Sequence, residues 1–156
     1  MRGGARLYPR KQETEHYRGQ DVRGMVGGRY ARYHVWFATK RRKWLLQGDV
    51  SALAEHAIWE VAKKDGIRLL ECKTAIDHVH LMIELDSPVA LPSAMKALKG
   101  KSAHRVFEQV PELKSDGRTK NLWQRAYGWK PVQPAAEATV RRYIRTQMER
   151  LDKFAR

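Results

Sequence analysis

Apolar and polar residues alternate with two different periods along the first half of the chain, and each period predicts one kind of element. Residues 32 to 39 are rich in Tyr, Val, Trp and Phe, which fit a half-buried pleated surface and predict a first strand. From Asp49 to Gly66, apolar residues recur every three or four positions, which is the spacing of one helix face. Asp49 is a favoured N-cap residue, and Gly66 is a favoured residue just beyond a helix end. This segment therefore predicts a helix that packs one face on a sheet.

The middle of the chain predicts two more strands and a second helix. Residues 67 to 75 alternate towards a run of apolar residues and histidines at 78 to 83, and so short a link between two strands predicts an antiparallel hairpin. A helical period then extends from about residue 91 to residue 110, and it ends at Pro111, which cannot continue a helix.

The C-terminal third predicts a last strand and a last helix. Residues 121 to 133 carry the apolar side chains of a strand, but Pro131 cannot donate to a ladder, so this strand lies at a sheet edge or is bulged. Residues 134 to 138 look like a hinge into a helix over about 138 to 156, with Thr139 as a candidate N-cap. The apolar seam of this helix consists only of Val140, Ile144 and Leu151. A helix with so narrow a seam needs a docking surface to be stable.

The charge balance indicates the kind of partner. The 156 residues include 31 Lys and Arg against 17 Asp and Glu, which gives a formal charge of +14. Such an excess favours a polyanion, above all nucleic acid. A membrane is disfavoured because no apolar run approaches the roughly 20 residues of a spanning helix, and the N-terminus does not resemble a signal peptide. Cys72 is the only cysteine, which excludes an internal disulfide and fits a reducing compartment, so we expect a cytoplasmic protein.

The composition also divides the chain. Residues 1 to 28 are rich in Gly and Arg and contain few apolar side chains that could offset the entropy of ordering. They predict a mobile basic N-terminal arm, which either lies along DNA phosphates or is a solvated tail. Residues 29 to 156 predict a single domain.

Two histidines in the predicted hairpin are candidate metal ligands. His78 and His80 are two residues apart on a strand and therefore share one face, while Val79 and Leu81 share the other. Two imidazoles then converge where a divalent metal could bind, although most such pairs bind none. Asp77 could orient an imidazole, serve as a further ligand or simply form the turn, and we leave it out of the ligand set.

A second pair of polar residues lies in the predicted last helix. Tyr143 and Gln147 are four residues apart, so a phenol and an amide oxygen lie on the same helix face. Such a pair is common in helices and gains weight only together with the histidines.

A basic segment follows the first strand. Four consecutive cations extend from Lys40 to Lys43, with Trp36 and Trp44 close by. Cations next to aromatic rings on which bases can stack are typical of single-strand binding, so we favour DNA contact over a solvated turn for Lys40, Arg41 and Arg42.

Together, His-x-His on a strand and Tyr-x-x-x-Gln on a late helix resemble the HUH single-strand nucleases, in which U is a hydrophobic residue. More narrowly, the chain is similar to the single-tyrosine transposases of the insertion-sequence 200/605 family. The resemblance covers roughly residues 30 to 150 in the same order, and is carried by residues 30 to 36, 39 to 42, 97 to 102, 121 to 123 and 143 to 144.

The resemblance implies a fold and a reaction. The fold is a ferredoxin-like or RRM-like two-layer α+β sandwich, with a central antiparallel sheet, helices on one face and a C-terminal catalytic helix. The reaction is the cleavage and rejoining of single-stranded DNA at hairpin-bearing insertion-sequence ends, through a covalent 5′-phosphotyrosine on Tyr143. The expected cofactor is Mg²⁺ or Mn²⁺ held by His78, His80 and Gln147, and Mn²⁺ should bind more tightly because it tolerates imidazole better.

The resemblance also implies partners. It predicts a homodimer in which Tyr143 of one chain acts in trans. It assigns the second helix to a DNA hairpin, which makes its cations candidate DNA-binding residues: Lys96, Lys99, Lys101 and Arg105. Gly100 interrupts this helix at a cost of about 1 kcal/mol relative to Ala. We expect its backbone to approach a strand or a phosphate closely, and the resemblance favours the phosphate.

Two alternatives stay open at this point. The first is a repeat-associated tyrosine transposase or another HUH nuclease, such as a relaxase or a replication initiator. The second is a non-catalytic module that binds single-stranded nucleic acid through cations and aromatic stacking alone, and it would need neither the histidine pair nor Tyr143.

Overall fold

Four strands form one antiparallel sheet: β1 (Ala31–Ala38), β2 (Arg68–Thr74), β3 (His78–Leu85) and β4 (Gly128–Val132). Their order is β2-β3-β1-β4, so β1 and β3 lie in the interior of the sheet and β2 and β4 at its edges. The structure is a computed structural model in which residues 31–115 and 120–147 are described. The predicted arm at residues 1 to 28 lies outside these ranges.

The helices divide between the two faces of the sheet. The long helices α1 (Asp49–Lys64) and α2 (Leu91–Gln109) pack on each other and on one face, and the short α3 (Glu112–Ser115) follows them. The last helix, α4 (Glu137–Arg145), lies against β2 and β3. Single turns of 3₁₀ helix occur at Lys40–Arg42, Pro88–Ala90 and Pro134–Ala136. The predicted ferredoxin-like sandwich is confirmed.

The period of two along the interior strands separates core from site. Tyr33, Val35 and Phe37 of β1 join Leu81 and Ile83 of β3 in one buried core with the residues of α1 and α2. The alternate residues point to the other face, where Trp36 pairs with His80 and Ala38 pairs with His78. The apolar core thus fixes which side chains face α4.

The last strand is shorter than the sequence predicts. Only Gly128–Val132 pairs with β1. Residues 121 to 127 form a loop, which is joined by one isolated β-bridge, between Trp123 and Thr39, to the chain just after β1. Leu122 and Trp123 are nevertheless buried in the core, so their apolar character reflects a packed loop and not a strand. β4 is an edge strand, as Pro131 predicts.

Two helix starts also differ from the sequence predictions. Gly48, with φ of 54°, takes the N-cap position of α1, and Asp49 is the first helical residue. The carboxylate of Asp49 still lies where the helix dipole favours negative charge. The last helix begins at Glu137 and not near Thr139, because the 3₁₀ turn at Pro134–Ala136 leads directly into it. Its predicted continuation beyond residue 147 lies outside the described ranges.

Two details of the predicted elements agree with the structure. Gly66 adopts φ of 68° just after α1, a conformation that glycine tolerates best. Within the described ranges, no helix combines the length and the apolar character needed to cross a membrane.

Candidate metal and nucleophile site

The strand β3 supplies two buried histidines to the face opposite the core. His78 and His80 are 0% exposed, and their ring centroids lie 5.0 Å apart. β3 pairs with β1 on one side and β2 on the other, so backbone ladders hold both residues in place. The structure therefore brings the two predicted imidazoles together in a rigid part of the sheet.

Asp77 orients one of these rings. Its Oδ1 accepts a hydrogen bond from Nδ1 of His78 at 2.7 Å, and its Oδ2 accepts one from Nε of Arg42 at 3.1 Å. Burial alone would raise the pKa of the Asp77 carboxyl, but the bonds and charges of His78 and Arg42 outweigh it and lower the pKa. A carboxylate on Nδ1 directs Nε2 of His78 towards any metal, which is the first of the three roles that the sequence left open for Asp77.

A third histidine, His34 of β1, lies beside them. Its Nε2 is 2.8 Å from Nδ1 of His80, and the two rings stack with centroids 5.0 Å apart. Burial, aided by the charge of Lys130, lowers the pKa of His34 to about 3, so the ring is neutral. The sequence analysis did not single out His34, because only the β1–β3 register shows that it shares a face with His80.

The helix α4 brings the tyrosine to the same place. The ring of Tyr143 lies 5.5 Å from that of His80 and 5.8 Å from that of His34, edge-on to both. The side chain is half-buried. A phenol is thus adjacent to the histidine pair of its own chain; the prediction that Tyr143 acts in trans stays a prediction.

Gln147 lies one turn further along and is 0% exposed. Its Nε2 donates to the backbone oxygen of Tyr143 at 2.8 Å, but its buried Oε1 accepts no hydrogen bond within the described residues. A buried amide oxygen without a partner costs free energy, which a cation would recover.

The donor set fits a divalent ion only if the amide takes part. In the described part of the chain, no group of three or more His, Cys, Asp or Glu side chains is placed to hold a metal ion. The histidine pair therefore needs a ligand of another type, and the unsatisfied Oε1 of Gln147 is one. Two imidazoles and an amide oxygen suit Mn²⁺ better than Mg²⁺, which prefers oxygen ligands.

Ion pairs dock α4 on the sheet. Glu71 of β2 accepts bonds from Nε of Arg141 at 2.8 Å and from Nε and Nη2 of Arg145 at 2.9 and 2.7 Å. Burial would raise the pKa of Glu71, but these arginines lower it. Glu137 in turn accepts bonds from Arg32 at 2.6 Å and Arg141 at 3.2 Å. The docking surface that the narrow apolar seam requires is thus largely ionic.

A β-bulge makes this docking possible. The register between β2 and β3 shifts between Leu69, which pairs with Ile83, and Glu71, which pairs with Met82. The extra residue turns Glu71 onto the histidine face, where α4 lies. The sequence analysis missed Glu71, and the position of a bulge has no clear signal in the alternation.

The predicted DNA-binding cations have different environments. Lys40, Arg41 and Arg42 form the 3₁₀ turn after β1, with Trp44 68% exposed beside them. In α2, Lys96 is exposed, whereas Lys101 bonds Asp65 at 2.6 Å and Arg105 bonds Glu60. Their DNA-binding role stays a prediction.

Lys99 has a structural contact that the sequence did not predict. Its ammonium donates to the backbone oxygens of Gln124, Arg125 and Ala126 at 2.5, 2.9 and 3.3 Å, and burial lowers its pKa to about 8. These bonds hold the loop before β4 against α2.

Gly100 does not approach a neighbouring strand. Apart from its own stretch of helix, no atom of the described residues lies within 4 Å of where its Cβ would be. Gly100 instead lines an open groove of about 660 Å³ between α2 and the loop, together with Lys40, Lys99, His104, Lys120 and Arg125.

A ferredoxin-like sheet with a histidine pair, covered by a helix that carries a tyrosine, is the arrangement that the sequence resemblance implies for a transposase. The family model described as "Transposase IS200 like" matches residues 29–147, and the chain belongs to this family. The predicted family and the predicted function, a single-stranded DNA transposase, are thereby confirmed.

Known relatives agree with this assignment. The chain is 31% identical to the ISDra2 transposase TnpA of Deinococcus radiodurans over 118 residues, which cover 76% of this chain and 84% of that one. It is 30% identical to the transposase for insertion sequence element IS200 of Salmonella typhimurium, over 76% of this chain and 77% of that one.

Two solved structures share the fold. A protein from Deinococcus radiodurans R1, assigned there as a candidate transposase, matches with a TM-score of 0.62 and 32% identity, over 78% of this chain and 95% of that one. The REP-associated tyrosine transposase bound to a REP hairpin matches with a TM-score of 0.53 over 74% of this chain and 65% of that one. At 17% identity, this second likeness concerns the fold alone.

Proposed function

We propose that this transposase cleaves and rejoins single-stranded DNA at insertion-sequence ends, with Tyr143 as the nucleophile and a divalent metal held by His78, His80 and Gln147. One observation carries the proposal: Tyr143 of α4 and the histidine pair of β3 converge on one face, with their rings 5.5 Å apart at His80. A transposase is a DNA-cleaving enzyme, and these side chains supply its chemistry.

The proposed site residues have separate roles in the cleavage reaction. The phenolic oxygen of Tyr143 attacks the scissile phosphorus and loses its proton as the new P–O bond forms and the bond to the 3′ oxygen breaks. The products are a 5′-phosphotyrosine and a free 3′-OH. A bound Mn²⁺ or Mg²⁺ would polarise the phosphate and stabilise the charge on its oxygens.

The covalent link explains strand transfer. A phosphotyrosine ester retains the free energy of the phosphodiester, so a second 3′-OH can displace Tyr143 and reform a DNA strand without ATP. This reversibility distinguishes a transposase from a degradative nuclease. The lone Cys72 fits the reducing cytoplasm as the compartment of the reaction.

The proposal extends to the substrate. The resemblance to the family implies hairpin ends, and the basic groove beside α2 supports them. The alternative of a repeat-associated transposase has weaker support, because the solved example is only 17% identical to this chain, whereas the insertion-sequence transposases are 31% and 30% identical.

The proposal also includes a homodimer in which Tyr143 acts in trans. The resemblance to the family supports it. Mixing Tyr143→Phe with His80→Ala protein tests it, since only a trans arrangement combines an intact tyrosine with an intact histidine pair. Cleavage by the mixture is the expected result, and no cleavage by any mixture would assign Tyr143 to its own chain.

The nucleophile is tested by a covalent adduct. With Mn²⁺ and a single-stranded oligonucleotide that carries an insertion-sequence end, wild-type protein should give a protein–DNA band on a denaturing gel, and Tyr143→Phe should give none. Tyr33→Phe is the matched control, because it also removes one hydroxyl but from a side chain buried in the core. An adduct that persists in Tyr143→Phe would assign the nucleophile to another residue.

A further inference from the structure

His34 contacts both halves of the site, although the proposed chemistry gives it no role. On β1 it lies diagonally across from His80, because Trp36 pairs with His80 and His34 with the next position on that face, Met82. The side chain is 4% exposed. Its Nε2 lies 2.8 Å from Nδ1 of His80, and its ring packs edge-on to Tyr143.

The partner of one imidazole nitrogen decides what the other can do. A neutral imidazole carries one proton, so a nitrogen can bind a metal only when the proton is on the other nitrogen. For His78, the carboxylate of Asp77 at 2.7 Å holds the proton on Nδ1. For His80, the corresponding neighbour of Nδ1 is Nε2 of His34.

We propose that His34 is a positioning residue of the metal site. Its Nε2 accepts the hydrogen bond of the Nδ1 proton of His80, which assigns Nε2 of His80 to the divalent ion and fixes the plane of the ring. This inference rests on the metal site proposed above. The two histidine ligands then have different hydrogen-bond partners, the carboxylate of Asp77 for His78 and the imidazole of His34 for His80.

The arrangement has a second consequence. Because the same ring packs on Tyr143 with centroids 5.8 Å apart, His34 links the orientation of the ligand to the position of the nucleophile. A change at His34 should therefore alter metal affinity even in the absence of DNA, and before any cleavage takes place.

The test is a titration of the full chain with Mn²⁺ in the absence of DNA, in which the electron paramagnetic resonance signal of free Mn²⁺ reports how much of the ion is bound. His34→Leu removes the acceptor and should weaken Mn²⁺ binding by about tenfold or more, as is usual for loss of a ligand's hydrogen-bond partner. His34→Gln places an amide oxygen near the position of Nε2, so its affinity should return towards that of the wild type. His56→Leu, at an exposed histidine of α1, is the matched control and should bind as the wild type does.

The outcomes separate this inference from the metal site itself. Unchanged affinity in His80→Ala would overturn the proposed metal site. Weak binding in His80→Ala with unchanged affinity in His34→Leu would overturn only the role of His34. An equal loss in His34→Leu and His34→Gln would assign the effect to ring packing and would also overturn that role.

A measurement on the wild type covers the case in which His34→Leu does not fold, which thermal melts in EDTA would reveal. Nitrogen-15 NMR of the imidazoles in Mg²⁺-loaded protein distinguishes the two tautomers of His80. A proton on Nδ1 is the expected result. A proton on Nε2 would overturn the inference.

Discussion

The site is built from two halves that are held by different forces. The sheet half, with His78 and His80, belongs to an interior strand paired on both sides, and the core lies directly behind it. The helix half consists of Tyr143 in α4, a helix of nine residues in which only Ile144 is buried, and of the buried Gln147 just beyond its end. The proposed metal ligands of the sheet are thus fixed by the fold, whereas the proposed nucleophile is held by the separate attachment of α4.

The attachment of α4 depends on charges near water. The side chains of Arg141 and Arg145 are 32% and 62% exposed where they bond Glu71. Exposed pairs of this kind contribute little each, although bonding of one carboxylate by two guanidinium groups improves the geometry. We therefore expect α4 to detach at a lower free energy than the sheet unfolds. A trans reaction requires α4 to dock on the sheet of the other chain, and a low free energy of detachment is consistent with that.

The largest expected effect comes from the sheet half. His80→Ala should reduce adduct formation on the order of a thousandfold, because a metal ion stabilises the charged transition state by several kcal/mol and each 1.36 kcal/mol is a factor of ten. Single-turnover rates at saturating Mn²⁺ measure this effect, and far-UV circular dichroism checks the fold. A rate near that of the wild type would remove the histidine pair from the chemistry.

Gln147 sharpens the comparison, because it is the one proposed ligand on the helix half. Gln147→Ala should weaken Mn²⁺ binding by about tenfold, since it removes the amide oxygen but keeps both histidines. Gln147→Glu should restore binding, because a carboxylate oxygen is a stronger ligand in the same place. Calorimetric titration without DNA measures both affinities. If Gln147→Ala binds Mn²⁺ as the wild type does, the ion belongs to the sheet half alone.

Glu71→Gln should have the smallest effect and should act on the helix half only. With its carboxylate neutralised, Arg141 and Arg145 lose their common partner, so hydrogen exchange in α4 should rise while exchange in β1 and β3 stays unchanged. We expect a decrease of a few-fold in cleavage rate, in line with the modest worth of exposed ion pairs. Glu60→Gln is the matched control, because Glu60 of α1 bonds His56 and Arg105 on the opposite face of the sheet. Equal protection of α4 in Glu71→Gln and wild type would contradict ionic docking.

The pH dependence of this docking has a definite sign. The folded pKa of Glu71 lies below its ordinary value, so the contribution of its ion pairs is complete above the unfolded pKa and is lost as the pH falls through the lowered folded value. Exchange in α4 should therefore rise in acid before exchange in the sheet does.

Much of the site follows from local periods in the sequence. A period of two places His78 and His80 on one face, and a period near four places Tyr143 above Gln147, so each pair could be recognised without coordinates. The remaining contacts depend on how elements pair. His34 requires the β1–β3 register, and Glu71 requires the bulge that turns it towards α4.

The predicted extent of the last strand, residues 121 to 133, was wrong for a related reason. Leu122 and Trp123 are apolar because they are buried, and burial in a packed loop leaves the same pattern as burial in a strand. The bonds from Lys99 to three backbone oxygens hold that loop, and they join residues that are 25 to 27 positions apart in the chain. Contacts over such separations have no signal in a local period.

The most direct test of the account is a crystal structure of the protein grown with Mn²⁺, with the ion located by its anomalous scattering. The account predicts one ion bonded to His78, His80 and Oε1 of Gln147. The hydroxyl of Tyr143, from the same or a partner chain, should lie beside the open coordination positions that a DNA phosphate would occupy. A peak elsewhere on the protein, or one at the histidines with Gln147 and Tyr143 of every chain turned away, would contradict it.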